Sequence, residues 1–330
     1  MSKEEILALL KRSEGYLSGA EMSRQLGISR AAVWKAIDAL RQEGYQIDSA
    51  TNRGYCLRVS PDRLSEGEVR PYLTGRRIGR ELRVFDTIDS TNSYLKREAA
   101  NGLPDGTAAL ADCQTGGRGR LGRGFRSAPG EGVYLSVLLR PQVPPEEAVN
   151  LTAYVAVAVC DGIEAAAGVR PQIKWTNDLV LGGRKICGIL TEMGIEGESG
   201  ALQYLVTGIG VNANQRAEDW PEELREIAGS IREATGQPVA RGRLAACLLN
   251  ALDEMYERWQ AGDRARYLER YRADCLTVGR AVRILTAGRE ERGLALAVDD
   301  RFGLVVRLED GTERTVTSGE VSVRGLYGYL

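Results

Sequence analysis

The sequence predicts an α+β protein in three parts: an N-terminal winged helix-turn-helix, a central mixed sheet with packing helices, and a small C-terminal β-barrel. Three observations carry this. Three short helical patterns, two of them separated by a glycine turn, precede a hairpin pattern within residues 1–60. Strand and helix patterns then alternate through residues 82–211, with hairpin-like pairs among them. From residue 278 onward short alternating strands are spaced by turns at Gly288, Gly303 and Asp310-Gly311. The expected units are 1–62, 63–276 and 277–330.

In the first unit, Ile6, Leu7, Leu9 and Leu10 give an apolar stripe for one helix. Ser18 with Glu21 forms a capping-box pattern opening a second helix that runs to Leu26, and Gly27 supplies the turn. Ser29 caps a third helix ending at Gly44, with Val33, Ile37 and Leu40 on its inner face. YQIDS and YCLRV, joined by a turn at 51–54, read as the wing. Ser29, Arg30, Ala31, Lys35 and Arg53, together with Arg41, fall at groove-facing and wing positions for DNA. Residues 1–60 carry nine Lys/Arg against seven Asp/Glu, so charge favours DNA over a protein-binding bundle only weakly.

After a break at 60–63, a short helical stretch reaches Leu73. RVFDTI reads as a strand, STNSYLKREAANG as a helix, and TAALADC and VYLSVLLR as strands. EEAVNLTAYVAVAVCDGIEAAAG reads as one long helix. QIKWTNDLVL and RKICGILTEM pair as a hairpin, ALQYLVTGIGVNAN is a further strand, and residues 220–275 are helical.

Net charge is −1, from 44 basic and 45 acidic residues, so nucleic-acid contact must come from a local patch. No apolar run is expected to reach membrane-spanning length, and no signal-peptide pattern opens the chain. Both favour a cytoplasmic protein without membrane partners. The six cysteines show no C-x-x-C pair and read as reduced packing thiols. The absence of histidine excludes a Ser-His-Asp triad, a Cys-His pair and any His-ligated metal, and no protein-held metal site is expected.

The chemistry concentrates in four pieces. In QTGGRGRLGRG, residues 114–124, Arg118, Arg120 and Arg123 sit among five glycines. Guanidinium forks pair with phosphate and carboxylate oxygens, and glycines let the backbone approach a ligand closely. The same loop matches G-x-G-x-x-G, but FRSAPGEG and a strand follow where a dinucleotide fingerprint needs a helix. Ser90, Thr91 and Asn92 lie at a strand-to-helix junction, where hydroxyls and an amide suit a polar ring such as a urea. KWTND, residues 174–178, and Lys185 complete the set. Strand alternation places Lys185 opposite Ile186 and Gly188, and a lysine aimed inward calls for an anion. Asp178 could hold Mg²⁺, orient an amine or end a turn with Asn177.

STN, GRGRLGR, KWTNDLVL and GRKICGIL, in this order, resemble the catalytic domain of biotin protein ligases. With the winged N-terminus, nearly the whole chain is similar to the bifunctional type that also represses the biotin operon. The resemblance implies a ligase domain of the biotin/lipoate ligase fold and an SH3-like C-terminal domain. It implies that Ser90, Thr91, Asn92 and Gln114 contact biotin, that Arg118, Gly119 and Arg120 order over it, and that Lys185 meets the carboxylate and activated phosphate. It places Asn212 near the nucleotide, where Arg120, Arg123 and Asn177 are also expected. Arg118, Arg120, Lys185 and Asp178 are the expected catalytic groups.

The implied reaction consumes ATP with Mg²⁺, forms biotinoyl-5′-AMP and transfers biotin to a lysine of a biotin carboxyl carrier domain. Implied partners are that carrier, operator DNA and, with adenylate bound, a second copy of the chain. Two alternatives stand: a lipoate or octanoate ligase, and a ligand-sensing transcription factor without turnover. The chain departs from the family pattern at Thr176, where proline is usual, and at Gly124 and Phe125, where a basic residue and tryptophan are usual.

Overall fold

The computed structural model describes residues 2–286, 289–317 and 321–325. Its first unit comprises α1 (Ser2–Arg12), α2 (Gly19–Leu26) and α3 (Arg30–Gln42), then an antiparallel wing of β1 (Gln46–Ala50) and β2 (Gly54–Val59). The Ser18 and Ser29 hydroxyls accept from the amides of Glu21 and Ala32, satisfying donors that each helix start leaves open. The reciprocal half of the expected capping box is replaced. Glu21 instead accepts from Gln25 at 2.7 Å and from Arg24. Ile6, Leu7, Leu10, Met22, Val33, Ile37 and Leu40 close a core separate from the rest of the molecule.

Short helix α4 (Glu66–Val69) leads into the central unit. Strand β3 (Leu82–Ile88) crosses through α5 (Thr91–Ala99) to a parallel β4 (Ala108–Gln114). Next come β5 (Gly132–Leu139), α6 (Pro145–Ala148) and α7 (Leu151–Ala167). The expected single helix is therefore broken at Val149 and Asn150. Two more corrections follow. QIKWTNDLVL is two strands, β6 (Gln172–Lys174) and β7 (Asp178–Leu181), because residues 175–177 turn the chain back. Residues 145–167 are apolar and long enough to cross a membrane by composition, against expectation. Here most of that surface is core, and Gly162 brings α7 within van der Waals contact of Leu248.

Strands β8 (Arg184–Ile195) and β9 (Leu202–Asn212) complete a seven-stranded mixed sheet in the order β3-β4-β5-β9-β8-β7-β6. Helices α8 (Ile231–Thr235), α9 (Arg241–Gln260) and α10 (Ala265–Asp274) follow, so only part of 220–275 is helical. The largely apolar α7 and the buried side of α9 pack on one face of the sheet. Helix α5 covers part of the other through Leu95, Ala99, Ala109, Leu138 and Val206. This second face carries the site.

The C-terminal unit has β10 (Ala281–Thr286), β11 (Arg289–Val298), β12 (Leu304–Leu308), β13 (Glu313–Val316) and β14 (Val321–Gly325). They form one antiparallel sheet in the order β13-β12-β11-β10-β14. The expected turn at Gly288 lies outside the described residues. Two anchors tie the outer units to the centre. The Arg241 guanidinium, 2% exposed, binds Asp62 at 2.9 Å, Asp112 at the end of β4, and the Gly132 carbonyl. The indole N–H of Trp175 donates to the Phe302 carbonyl at 2.8 Å.

Candidate active site

The site begins with a polar cluster where α5 meets the sheet. Ser90 caps α5 by accepting from the Ser93 amide, leaving Thr91 and Asn92 in its first turn, both buried. The Gln114 carbonyl oxygen accepts from the Thr91 amide at 2.9 Å and lies 3.1 Å from its hydroxyl, while the Gln114 amide donates to Ser127. Thr91 Oγ1 is 2.6 Å from Ser136 Oγ, and Ser136 donates to Asn92 Oδ1 at 2.6 Å. Asn92 donates to Glu192 at 2.9 Å. Every polar group here meets a partner although no water reaches Ser136, as a buried network requires.

Glycines hold this face of the sheet open. A Cβ on Gly208 would lie 2.2 Å from Asn92 Oδ1, and one on Gly210 would lie 2.4 Å from the Phe125 ring. Gly188 pairs with Gly210 across β8 and β9, so both lie on the face that bears Ser136 and Gly208. Phe125 thus lies over a glycine-paved strip between the polar cluster and the charged end of the site.

The charged end is organised by a bulge. Pairing of β7 with β8 shifts register between Leu179 and Val180, leaving Ile186 unpaired against β7. That half-turn overrides simple alternation. Lys185 comes to the same side as Gly188, its Nζ 3.3 Å from where a Gly188 Cβ would stand. The expectation that these two oppose each other is corrected. Lys185 Nζ is 2.6 Å from Asp178 Oδ1, and Arg120 donates to Asn177 Oδ1 at 3.0 Å. Burial pushes the Arg120 guanidinium down from its usual range, and the nearby Asp178 carboxylate opposes that.

The turn that carries Asn177 and Asp178 is braced from the C-terminal side. Tyr271 donates to the Thr176 carbonyl at 3.1 Å, and the Trp175 amide donates to Thr277. The Thr176 hydroxyl is buried without a hydrogen-bond partner. Asn212 stands behind Lys185 and donates to the carbonyls of Lys185 and Gly229. The Lys185 backbone is also clamped to residues 227–229, through Ile227 and Gly229.

The arginine loop folds back as a narrow hairpin, with Gly119 donating to Arg123 and Phe125 to Gly117. Arg118 and Arg123 are exposed on it, and Leu121 at its tip takes φ 57°. No helix follows the loop, as its sequence predicts. All six cysteines are free thiols; burial pushes that of Cys187, beside Lys185, well up. At the other end of the molecule Ser29, Arg30, Ala31, Trp34 and Lys35 are exposed along one side of α3. Arg53 is exposed on the wing with its guanidinium 4.5 Å from the Tyr16 ring centroid. Arg41 differs from its expected groove-facing role: its guanidinium donates to the Ile47 carbonyl and to Ser49, holding the wing to α3.

Comparison with known proteins joins these parts. Residues 84–212 match the biotin/lipoate A/B protein ligase family, 3–56 an HTH domain and 277–324 the biotin protein ligase C terminal domain. The bifunctional ligase/repressor BirA of Bacillus spizizenii is 37% identical over 91% of each chain. That of Escherichia coli is 30% identical over 97% of this chain and 96% of its own. The chain belongs to the bifunctional biotin ligase/repressor family. A solved biotin protein ligase from Aquifex aeolicus, in complex with biotin and ATP, superposes with a TM-score of 0.64 at 27% identity. It covers 74% of this chain and 99% of its own. As a family member the chain is a biotin–[acetyl-CoA-carboxylase] ligase carrying a helix-turn-helix, and the α+β fold is the expected one.

Ser136, Glu192, Gly208 and Gly210 were not singled out from the sequence. Two signals pointed to Ser136 and the glycines, and none to Glu192. A lone serine sits in VYLSVLL, which is otherwise aliphatic and aromatic, and paired glycines in a strand mark a close approach.

Proposed function

We propose that the polar cluster binds the ureido ring of biotin through Ser90, Thr91, Asn92 and Gln114, and that the charged end assembles biotin's carboxylate with ATP. The supporting observation is the glycine strip under Phe125, which joins a neutral hydrogen-bonding end to a cationic one. A carboxylate oxygen forms a bond to the α-phosphorus, and the bond from that phosphorus to the bridging oxygen breaks. Pyrophosphate leaves and biotinoyl-5′-AMP remains. Lys185 and Arg120 screen the two approaching anions, and Arg118, Gly119 and Arg123 close over the nucleotide from the loop. Asn177 aims Arg120, and Asn212 fixes the backbone that presents Lys185. A lysine amine of a biotin carboxyl carrier domain then attacks the acyl carbon, AMP leaves, and the amine sheds a proton.

Among the described residues no group of three or more Cys, Asp or Glu could cage a metal. Mg²⁺ therefore fits as an ion carried in by the triphosphate, with Asp178 offering a carboxylate. It would supply charge neutralisation on the phosphates.

The three functional units are 1–62, 63–276 and 277–330. The exposed side of α3, Ser29, Arg30, Ala31 and Lys35, with Arg53 on the wing, contacts operator DNA. A homodimer forms through β8, whose residues 191–195 run past the end of β7 and expose Met193 and Ile195. The protein acts in the cytoplasm. The deciding experiment is ATP–pyrophosphate exchange with biotin, lipoate and octanoate in parallel. Exchange with biotin alone is expected. Exchange driven by lipoate or octanoate would replace the substrate, and none with any acid would leave a non-catalytic ligand sensor.

A further inference from the structure

We propose that Trp34 is a specificity-determining residue of the helix-turn-helix, which packs its ring on the C5-methyl group of a thymine in the major groove of the operator. The inference rests on the reading that α3 contacts operator DNA. The chain has four tryptophans. Trp175, Trp220 and Trp259 are buried, whereas Trp34 is 57% exposed. A single exposed apolar side chain is ordinary on a protein surface, so its place on the helix decides what it signifies.

Val33, Ala36, Ile37 and Leu40 turn the inner side of α3 into the core of the first unit. Ala31, Trp34 and Lys35 follow the helical spacing of the other side, and all three are exposed together with Arg30. Helical side chains lean toward the N-terminus, so the Trp34 ring covers the turn that begins at Arg30 and Ala31. That first turn is the part of a recognition helix that meets base edges. Asp38, one turn beyond Trp34, accepts from Gln42 at 2.9 Å, and its carboxylate ends the cationic surface.

Charge selects the occupant. Arg30 lies one turn before the ring, Lys35 directly after it, and Arg53 is exposed on the wing. Protein interfaces deplete charge at their apolar centre, whereas a DNA duplex sets phosphates on either side of an uncharged groove floor. On that floor adenine, guanine and cytosine present donors and acceptors, and thymine alone adds a methyl group. An indole carried between phosphate-seeking cations finds its apolar partner there.

The test uses the full chain with biotin and ATP present. Duplexes are recovered from a randomised pool, and each thymine of the recovered site is then exchanged for deoxyuridine, which removes only the methyl group. At one thymine per half-site the exchange is expected to weaken binding about 4-fold, the worth of one buried methyl. Trp34→Ala should bind the recovered site about 10-fold more weakly and lose nothing further with deoxyuridine at that position. Trp34→Phe, which keeps a ring, retains the sensitivity. In Trp34→Ala, pyrophosphate exchange with biotin stays native, and the slope of log affinity against log salt is unchanged, since no phosphate contact is lost. The other three tryptophans are buried, so acrylamide quenching of native fluorescence reports chiefly Trp34, and the recovered duplex should protect it. Deoxyuridine without effect at every position, an equal loss in native protein and Trp34→Ala, or quenching that DNA leaves unchanged overturns the inference while leaving DNA binding by α3 in place. Recovery of no duplex by a protein that still exchanges pyrophosphate removes the reading of α3 itself, and this inference with it.

Discussion

The two ends of the site are built on opposite principles. At the polar end Thr91, Asn92 and Ser136 are buried, neutral and mutually hydrogen-bonded. At the charged end Arg118 and Arg123 are exposed, and Lys185 and Arg120 are held by Asp178 and Asn177. The first end pays its ordering cost at folding; the second keeps cations close to partners that an anion can replace. Preorganised neutral donors and acceptors give selectivity, whereas charges that meet a developing anion give rate. The polar end should therefore govern which acid binds, and the charged end how fast it is activated.

The largest effect expected from this division is at Lys185. Lys185→Gln should lower exchange at saturating substrates by about 10³-fold, the loss typical of one donor to transition-state charge. KM for biotin should stay within a few-fold of native. A variant that loses biotin affinity and keeps its turnover would break the comparison, placing Lys185 with the binding groups.

That prediction depends on a detail the sequence hides. Alternation along RKICGIL puts Lys185 and Gly188 on opposite sides, and only the bulge at Ile186 unites them. A bulge arises from pairing with β7, a non-local event that strand periodicity does not encode. The same holds for Glu192 and Ser136, which become partners of Asn92 only when β5, β8 and α5 converge. What was legible was local. Ser18 and Ser29 cap their helices from the residues that follow them, the apolar stripe of α3 follows from its own spacing, and the arginine loop excludes a dinucleotide turn by what comes after it. Arg41 shows the limit: its position on α3 suggested DNA, but its guanidinium is occupied by the wing.

An intermediate effect is expected at Gly208. Alanine there would place a Cβ 2.2 Å from Asn92 Oδ1 and must displace that side chain. KM for biotin should rise about 100-fold, as for loss of a buried hydrogen-bonding arrangement, with turnover at saturation changed by less than about 10-fold. Thermal unfolding should also fall, since forcing a methyl into a packed site costs about 1–3 kcal/mol. A native KM in a folded Gly208→Ala protein would show that the polar end tolerates rearrangement, against the preorganisation argued for it.

The smallest effect needs no mutation, because salt acts on the two ends differently. Exposed charges are screened over a Debye length of about 10 Å at 0.1 M and about 3 Å at 1 M, whereas buried neutral hydrogen bonds are not screened. Arg118 and Arg123 lie on the exposed loop, so KM for ATP should rise several-fold as monovalent salt increases from about 0.1 to 0.5 M. Biotin itself is an ambiguous probe, since its carboxylate reaches Lys185. Biotinol, with an alcohol in place of that carboxylate, reports the ureido end alone, and its inhibition constant should change by less than about 2-fold over the same range. If biotinol weakens in parallel with ATP, the loop cations contribute to ring binding as well, and the two ends act as one. If neither changes, Arg118 and Arg123 close to a buried position over the nucleotide that salt does not screen, and the charged end is as protected in the working complex as the polar end.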